Sequence, residues 1–520
     1  MAKIILVLIG ITLVALAWRL ALLDRIPPGL YVDEASQGYN AYSLAQTGRD
    51  EYGMPLPIYL RAFGTYTPAL AAYFLAVPMK FWGPGIWSLR LAPVIWGTLT
   101  VVAISLLAGY YFPQKRWLAM LLGGLTAALL PSHVLWSRAF YEPTVGLLLF
   151  TLGFFKLLRG KFVSAALLLS LSTYAYQSQR LVVYVFLAGW WWLHRKQFKL
   201  SQLWPAGILF VVTQLPQLYL STLPGPTIRV RGLTWLSNLP AANPVEYALL
   251  VVKEFLSQYA AYFSPRNLFW ASDPDLQRSL PEISILFPWQ IVPWILGLVT
   301  IFRNFNYRNK ILILLLVISP LAAALTKDPF STVRASLLVV PLALIIGGGL
   351  VQIGSRLKPA LAIVLLIGVG MLSAGHLYRS LFVLLPNERY EVWAEGYPEL
   401  LTKIHSSHTP TIVDVDKPVY ILYLFYNRVD PRQVQAQFTG SLANYYFLTN
   451  WENYYVDSHV QFRQLNWKAD VCIDQLLVGS PLLISTTQAR EHFLSQDMEI
   501  TSRLGTPLLI GYRTHPRLKC

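Results

Sequence analysis

The chain has 520 residues, of which 55% are hydrophobic and only 13% charged. A soluble domain carries about 25% charged residues, so this composition excludes a single water-soluble globule, which could not cover its surface. The net charge of +16 does not indicate nucleic acid, because the basic residues sit in short clusters between apolar blocks: Lys115 and Arg116; Lys156, Arg159 and Lys161; Arg195, Lys196 and Lys199; Arg303, Arg308 and Lys310; Arg356 and Lys358. Short basic loops stay cytoplasmic, and every second loop carries the signal, as a serpentine membrane path requires. The two cysteines, Cys472 and Cys520, are far apart in sequence, and neither a disulfide framework nor a thiolate zinc cluster is expected of them.

In chain order, Lys3 precedes an apolar run from Ile4 to Leu23. Ala15-Leu16-Ala17 resembles a signal-peptidase site, so a cleaved signal peptide competes with a retained helix; Arg19 and the length of the run favour retention. On either reading the polar segment Asp24–Thr67 lies outside. Helix-like stretches follow near 34–46 and 68–81. Apolar spans are expected over 86–111, 117–131, 143–158, 162–176, 181–194, 200–220, 289–302, 311–325, 335–353 and 359–377, giving about eleven with the first. An odd count with a cytoplasmic N-terminus puts the C-terminus outside, together with loops 24–67, 132–142, 177–180, 221–288 and 326–334. Beyond Leu377 the spanning runs stop. Residues 386–520 carry more charge, and Thr411–Val415, Val419–Tyr426, Pro481–Ile484 and Pro507–Tyr512 look like strands. The expected fold is therefore mainly α: a polytopic transmembrane helical bundle over 1–380 and a small extracytoplasmic α/β domain over 386–520.

The chemistry-bearing residues gather on the outer face. Asp33-Glu34 follows the first span. A carboxylate pair at a membrane mouth suits a general base, since an apolar wall or a second carboxylate raises one pKa. It equally suits a helix N-terminus with Asp33 as cap, and both can hold. Trp136-Ser137-Arg138-Ala139-Phe140-Tyr141-Glu142-Pro143 reads either as an interfacial anchor with a surface ion pair or as a second carboxylate, Glu142, with an arginine for phosphate, Arg138. Arg180 and Arg334 end outside loops, against the positive-inside bias. A guanidinium there binds phosphate oxygens bidentately or snorkels to lipid headgroups, and Arg90 shares their face. Asp273-Pro274-Asp275 reads as a turn and Asp414-Val415-Asp416 as a strand end, not as metal ligands. The histidines are scattered without ligand spacing, so no zinc site is assigned. Gly347-Gly348-Gly349 lies inside a span with no preceding strand, and reads as helix packing rather than a phosphate loop.

Taken together, residues 1–380 resemble the polyprenyl-phosphate-dependent glycosyltransferases of the GT-C fold. More narrowly, they look like bacterial relatives of the dolichyl-phosphate-mannose protein mannosyltransferases and of the lipid A aminoarabinose transferase. The strings that carry the resemblance are Tyr31-Val32-Asp33-Glu34-Ala35, Gly38-Tyr39-Asn40-Ala41-Tyr42, Thr47-Gly48-Arg49-Asp50-Glu51-Tyr52-Gly53, Thr67-Pro68-Ala69-Leu70 and Gly83-Pro84-Gly85-Ile86-Trp87. They are followed in order by Arg138–Pro143, Tyr174–Arg180, Tyr262–Phe269 and Arg334–Pro341.

The resemblance implies that Asp33 is the catalytic base or orients the acceptor, with Glu34 beside it and Glu142 as the second acidic position. Many relatives have Lys-Pro or Glu-Lys-Pro where this chain has Tyr66-Thr67-Pro68. A lysine phosphate contact and a carboxylate metal ligand are thus absent there, and no cofactor is assigned, with use of a divalent cation left open. The expectation is an inverting transferase in the plasma or inner membrane, taking a sugar from a polyprenyl-phosphate donor to a protein, lipid or glycan acceptor outside. Arg138, Arg180 and Arg334 are the expected donor-phosphate contacts. A lipid-linked sugar transporter or flippase would show internal repeats and mid-membrane polar residues, which are not evident. A glycan polymerase or ligase would act on the same face.

Overall fold

A computed structural model describes every residue except 1, 242, 415–417, 439–441, 449–456 and 458. The chain forms two compact units. The first comprises Met1–Leu23, Thr67–Ala71 and Arg90–Leu384; the second comprises Asp24–Tyr66, Ala72–Leu89 and Leu385–Cys520.

The first unit is a helical bundle. Each expected span is a helix: Ala2–Leu20, Ile86–Tyr111, Arg116–Leu129, Glu142–Leu158, Phe162–Ala175, Gln177–His194, Leu200–Leu220, Ile291–Arg303, Tyr307–Ile318, Val339–Arg356 and Pro359–Tyr378. The reason is local: in lipid every backbone N–H and C=O must be paired within its own segment, and a helix does this. Among the described residues six helical stretches are long and apolar enough to cross a membrane by length and composition. Others are shorter. The 14 residues of Phe162–Ala175 reach about 21 Å at ~1.5 Å per residue. The long apolar helices make the chain a membrane protein.

The helices meet through small residues. A Cβ on Gly347 would lie 2.8 Å from the Cα of Gly123, and one on Gly349 would strike the Pro293 carbonyl. On the facing helix, a Cβ on Gly297 would strike the Ile345 carbonyl. The triple glycine is thus a contact face where backbones approach directly.

The first helix is anchored by buried charge. Arg19 is fully buried. It donates to Ser137 Oγ at 2.8 Å, to the Ala15 and Ala128 carbonyls at 3.1 and 3.3 Å, and meets His133 Nδ1 at 3.2 Å. Such a satisfied network is what permits an arginine in an apolar helix.

The second unit holds a five-stranded sheet. Strands β1 (Tyr59–Ala62) and β2 (Thr65–Pro68) form a separate two-stranded sheet. The larger sheet has the order β4-β3-β5-β7-β6, with β3 Thr411–Val413, β4 Val460–Phe462, β5 Leu476–Gly479, β6 Ser495–Thr501 and β7 Pro507–Arg513. β3 pairs in parallel with β4 and β5, while β5–β7 and β6–β7 are antiparallel. Ile412, Leu477, Ile484, Ile510 and Tyr512 build its core with Val471 and Ala489.

Three sequence expectations are corrected in this unit. Val419–Tyr426 is not a strand but carries the helix Tyr420–Tyr426. The run is continuously apolar and buried, without the alternation that separates a strand from a buried helix. Pro481–Ile484 is a turn, in which the Leu483 and Ile484 amides bond to the Ser480 carbonyl; the strand is the preceding segment, β5. Finally, Cys472 and Cys520 form a disulfide across 48 residues, with a Cα–Cα distance of 5.7 Å. Antiparallel pairing of Leu476 with Arg513 places the entry to β5 beside the exit from β7, so both cysteines leave the sheet at the same end. Val415 and Asp416 lie outside the described residues; Asp414 follows β3 directly, as a strand end should.

Candidate active site

In the helical unit, polar residues converge where three connections meet. The loop after Trp270 carries Asp273, Asp275 and Arg278. Its backbone is tied to the start of the Glu142–Leu158 helix: Tyr141 Oη donates to the Gln277 carbonyl at 2.5 Å, and Trp136 Nε1 to the Arg278 carbonyl at 3.4 Å. Arg278 then bridges two carboxylates, lying 2.6 Å from Asp275 and 3.0 Å from Asp328, and donates to Ser331 Oγ at 2.8 Å. Arg334 also pairs with Asp328, and donates to Thr326 Oγ1 at 3.1 Å. All of Arg334's hydrogen bonds with described residues leave from Nη1, so Nε and Nη2 are available to a ligand. Burial raises the Asp328 carboxyl, but the guanidinium groups of Arg334 and Arg278 outweigh it and hold the group below its ordinary range. The two arginines are matched by the carboxylates of Asp275 and Asp328, so these four groups are together charge-neutral, and Arg334 is the one whose fork is not fully engaged.

The cluster extends to Tyr176, at the junction of the Phe162–Ala175 and Gln177–His194 helices. Its hydroxyl lies within electrostatic reach of Arg334, Glu142, Arg278 and Arg229. Glu142 opens its helix with Pro143 in the first turn, which suits both residues. Arg180, one turn beyond Tyr176, approaches the Thr173 carbonyl at 3.4 Å and Ser221 Oγ at 3.5 Å. Of the residues expected from sequence in this unit, Glu142 and Arg334 both act electrostatically on Tyr176, with Arg180 one turn beyond it. Arg138 is different. It is fully buried and donates to the Trp18 and Ala21 carbonyls, each at 2.6 Å, so it clamps the end of the first helix. Arg90 is also buried and donates to the Leu23 carbonyl at 3.2 Å.

Sequence reasoning passed over Arg229, Arg278 and Tyr176. The signal was present: Arg229 and Arg278 lie in loop 221–288, assigned to the outside, and run against the same charge bias that marked Arg180 and Arg334. Asp273-Pro274-Asp275 is the turn it was read as, with the Asp275 amide donating to Asp273 Oδ1 at 3.0 Å. Both carboxylates are engaged, Asp273 by the amide and hydroxyl of Thr332 at 2.7 and 2.8 Å and Asp275 by Arg278.

In the second unit, Asp33 and Glu34 occupy the first turn of the helix Val32–Thr47. The N-cap is Tyr31 rather than Asp33, so Asp33 acts on the helix dipole from inside the first turn. Asp33 is exposed, whereas Glu34 is fully buried. The same unit contains a buried polar cluster after that helix. Asp50 accepts the amides of Tyr52 and Met54 at 3.0 and 2.8 Å, and the Tyr445 hydroxyl. The Arg61 guanidinium stacks 4.2 Å from the Tyr52 ring centroid and 5.4 Å from that of Tyr445. Burial pushes the Asp50 carboxyl up to about 6. Burial and the neighbouring Asp50 charge push Glu51 up to about 8.

No family model matches the sequence, and no curated protein matches it by sequence. Solved structures do match in fold. ArnT from Cupriavidus metallidurans in the apo state aligns at a TM-score of 0.54 with 15% identity, covering 99% of this chain and 98% of that one. The same enzyme bound to undecaprenyl phosphate aligns at 0.54 with 14% identity, over 98% and 97% of the two chains. The archaeal oligosaccharyltransferase AglB from Archaeoglobus fulgidus aligns at a TM-score of 0.49 with 11% identity, over 98% of this chain and 74% of that one. The chain therefore has the GT-C fold, from its first helix through its C-terminal sheet.

Proposed function

We propose that this GT-C-fold membrane protein is an inverting glycosyltransferase that takes a sugar from a polyprenyl-phosphate donor and passes it to an extracytoplasmic acceptor. The observation that carries the reading is the Arg278–Asp328–Arg334 network, with two guanidinium nitrogens of Arg334 available and Arg229 and Glu142 within electrostatic reach of Tyr176. A polyprenyl tail stays in lipid and its phosphate sits at the interface. Arginines there receive that phosphate bidentately and stabilise the charge that develops as it leaves. The undecaprenyl phosphate seen in ArnT is a ligand of the same chemical class.

In the proposed reaction an acceptor hydroxyl or amine attacks the anomeric carbon as the bond from that carbon to the phosphate oxygen breaks. The lipid phosphate leaves with the electron pair, and a carboxylate takes the acceptor's proton. Asp33 is the proposed base with Glu34 supporting it, and Glu142 is proposed to orient the acceptor. Arg180 and Arg334 are the proposed phosphate contacts, while Arg138 contributes by holding the end of the first helix. The acceptor is a protein, lipid or glycan.

The test is transfer by purified protein in liposomes supplied with a panel of polyprenyl-phosphate sugars and cell-envelope acceptors, read by mass spectrometry. Sugar-bearing acceptor and released polyprenyl phosphate are expected, with Arg334→Gln weakening donor binding at least tenfold. Movement of intact donor between leaflets without bond cleavage would instead identify a transporter.

A further inference from the structure

Two neighbouring histidines, His405 and His408, meet a third, His459, about fifty residues on in the second unit, and strand register explains why. His405 ends the helix Tyr397–Ser407 and His408 caps it with a left-handed φ of 52°. Three residues later β3 starts, and its Thr411 is paired with Val460 of β4. The Thr411 amide also donates to the His459 carbonyl at 2.7 Å. Parallel pairing therefore sets the entry to β4, with Asp457 and His459, beside the entry to β3, with His405 and His408. The His408 and His459 ring centroids are 5.3 Å apart, and those of His405 and His459 6.3 Å. His405, Asp457 and His459 each present one ligand-type atom, all within 4.8 Å of one another. His405 and His408 lie on one segment and Asp457 and His459 on another, so strand register rather than a sequence motif brings the donors together.

A hydrogen-bond relay orients this set. Tyr423 projects from the helix packed beside His405, its hydroxyl 2.7 Å from His405 Nδ1 and 2.5 Å from Asp457 Oδ2. With His405 protonated on Nδ1, Tyr423 accepts from the imidazole and donates to the carboxylate, and His405 Nε2 is left as a metal ligand. This is the outer-sphere arrangement that fixes the tautomer and direction of a metal-binding histidine. The donors are imidazole nitrogens and a carboxylate oxygen, a set that suits zinc-like transition metals and not calcium or magnesium, which take oxygen.

We propose that His405, Asp457 and His459, with His408 as fourth ligand, bind one divalent transition-metal ion, zinc by preference. The ion's role is structural: it ties the entry of β4 to the end of the Tyr397–Ser407 helix. Tetrahedral zinc needs ligand atoms roughly 3.3 Å apart, from bond lengths of about 2.0–2.1 Å, so binding draws these side chains inward by small rotamer changes. The site is independent of the proposed transferase chemistry.

The experiment uses full-length protein purified in detergent on a histidine-free tag, stripped with a chelator and titrated with Zn²⁺ against a chromogenic competitor. The same protein is titrated with Co²⁺. Expected are one tight equivalent of zinc and the intense visible bands of tetrahedral cobalt. Asp457→Asn and His459→Gln should each weaken zinc by well over tenfold. Tyr423→Phe should weaken it about tenfold, as loss of an outer-sphere partner does, while His376→Gln leaves it unchanged. If a ligand variant fails to fold, the cobalt spectrum of the wild-type protein and the Tyr423→Phe titration decide. Weak or substoichiometric zinc, an octahedral cobalt spectrum, or zinc binding by folded Asp457→Asn equal to wild type would each show a hydrogen-bonded His–Tyr–Asp relay without metal and overturn the proposal.

Discussion

Asp33 and Glu34 are adjacent in sequence and differ in environment: one is exposed and the other fully buried. That difference follows from helical geometry, in which neighbours point about 100° apart. An exposed carboxylate can reach an acceptor, which is why Asp33 is the proposed base. Asp33→Asn keeps the shape and removes the proton acceptor. It should lower transfer by about 10²–10⁴-fold with donor binding retained, measured by single-turnover transfer and donor titration. Wild-type transfer by a folded Asp33→Asn protein would assign the base elsewhere.

Glu51 shows a different residue-scale effect. Its carboxyl ionises near 4.5 when exposed, and burial beside Asp50 raises it to about 8. The folded chain therefore holds that proton to higher pH than the unfolded chain. The resulting stability is complete below about 4.5 and is lost as pH rises through about 8. Asp50, raised to about 6, adds to the loss over the lower part of that window. Glu51→Gln should flatten the fall in stability between pH 5 and 8 that wild type shows, read by thermal or proteolytic unfolding across pH. An equal slope in both proteins would mean that Glu51 does not carry it.

At the scale of elements, the contact between the Ile291–Arg303 and Val339–Arg356 helices rests on glycine. Gly349 faces the Pro293 carbonyl, and Gly297 faces the Ile345 carbonyl. A side chain at 349 meets backbone, which cannot rotate away. Gly349→Val should therefore separate the helices and destabilise the protein by about 1–3 kcal/mol or more, the usual cost of overpacking. Gly354→Ala on the same helix, where a Cβ meets nothing within 4 Å, should be tolerated. Thermal unfolding in detergent measures both, and equal effects would remove the close-packing argument. The glycine run was legible as packing from its apolar surroundings alone. The helix at Tyr420–Tyr426 was not legible, because a short buried apolar run has no period that distinguishes helix from strand.

At the scale of the molecule, the Cys472–Cys520 bond bears on which side of the membrane the second unit faces. Disulfides persist in oxidising compartments and are rare in the cytosol, which agrees with the C-terminal side expected from basic-loop parity. A reporter active only outside, fused after Cys520, should be active, and one fluorescent only in the cytoplasm should be dark. The opposite pattern would reverse the topology. Closing a loop of 48 residues is worth about 4 kcal/mol on the chain-entropy model. A gentle reductant should therefore make the sheet easier to proteolyse than the helical bundle, and identical digestion with and without it would show that the bond adds nothing.

The sequence by itself determined the apolar helices of the bundle. Each is a local consequence of an apolar run that must satisfy its own backbone, and basic clusters mark where the runs end. It also marked Glu142, Arg180 and Arg334, since charge at an apolar boundary is conspicuous without knowledge of neighbours. What depends on who lies beside whom was decided only by tertiary structure. Arg138 became a buried clamp because the carbonyls at the end of the first helix lie next to it. Arg278 joined the cluster because its loop folds back on Trp136 and Tyr141. Asp24–Tyr66 was gathered into one unit with the C-terminal sheet. The disulfide and the His405–Asp457–His459 cluster arose from strand order and register, in which residues about 50 positions apart become neighbours through long-range pairing that no local pattern encodes.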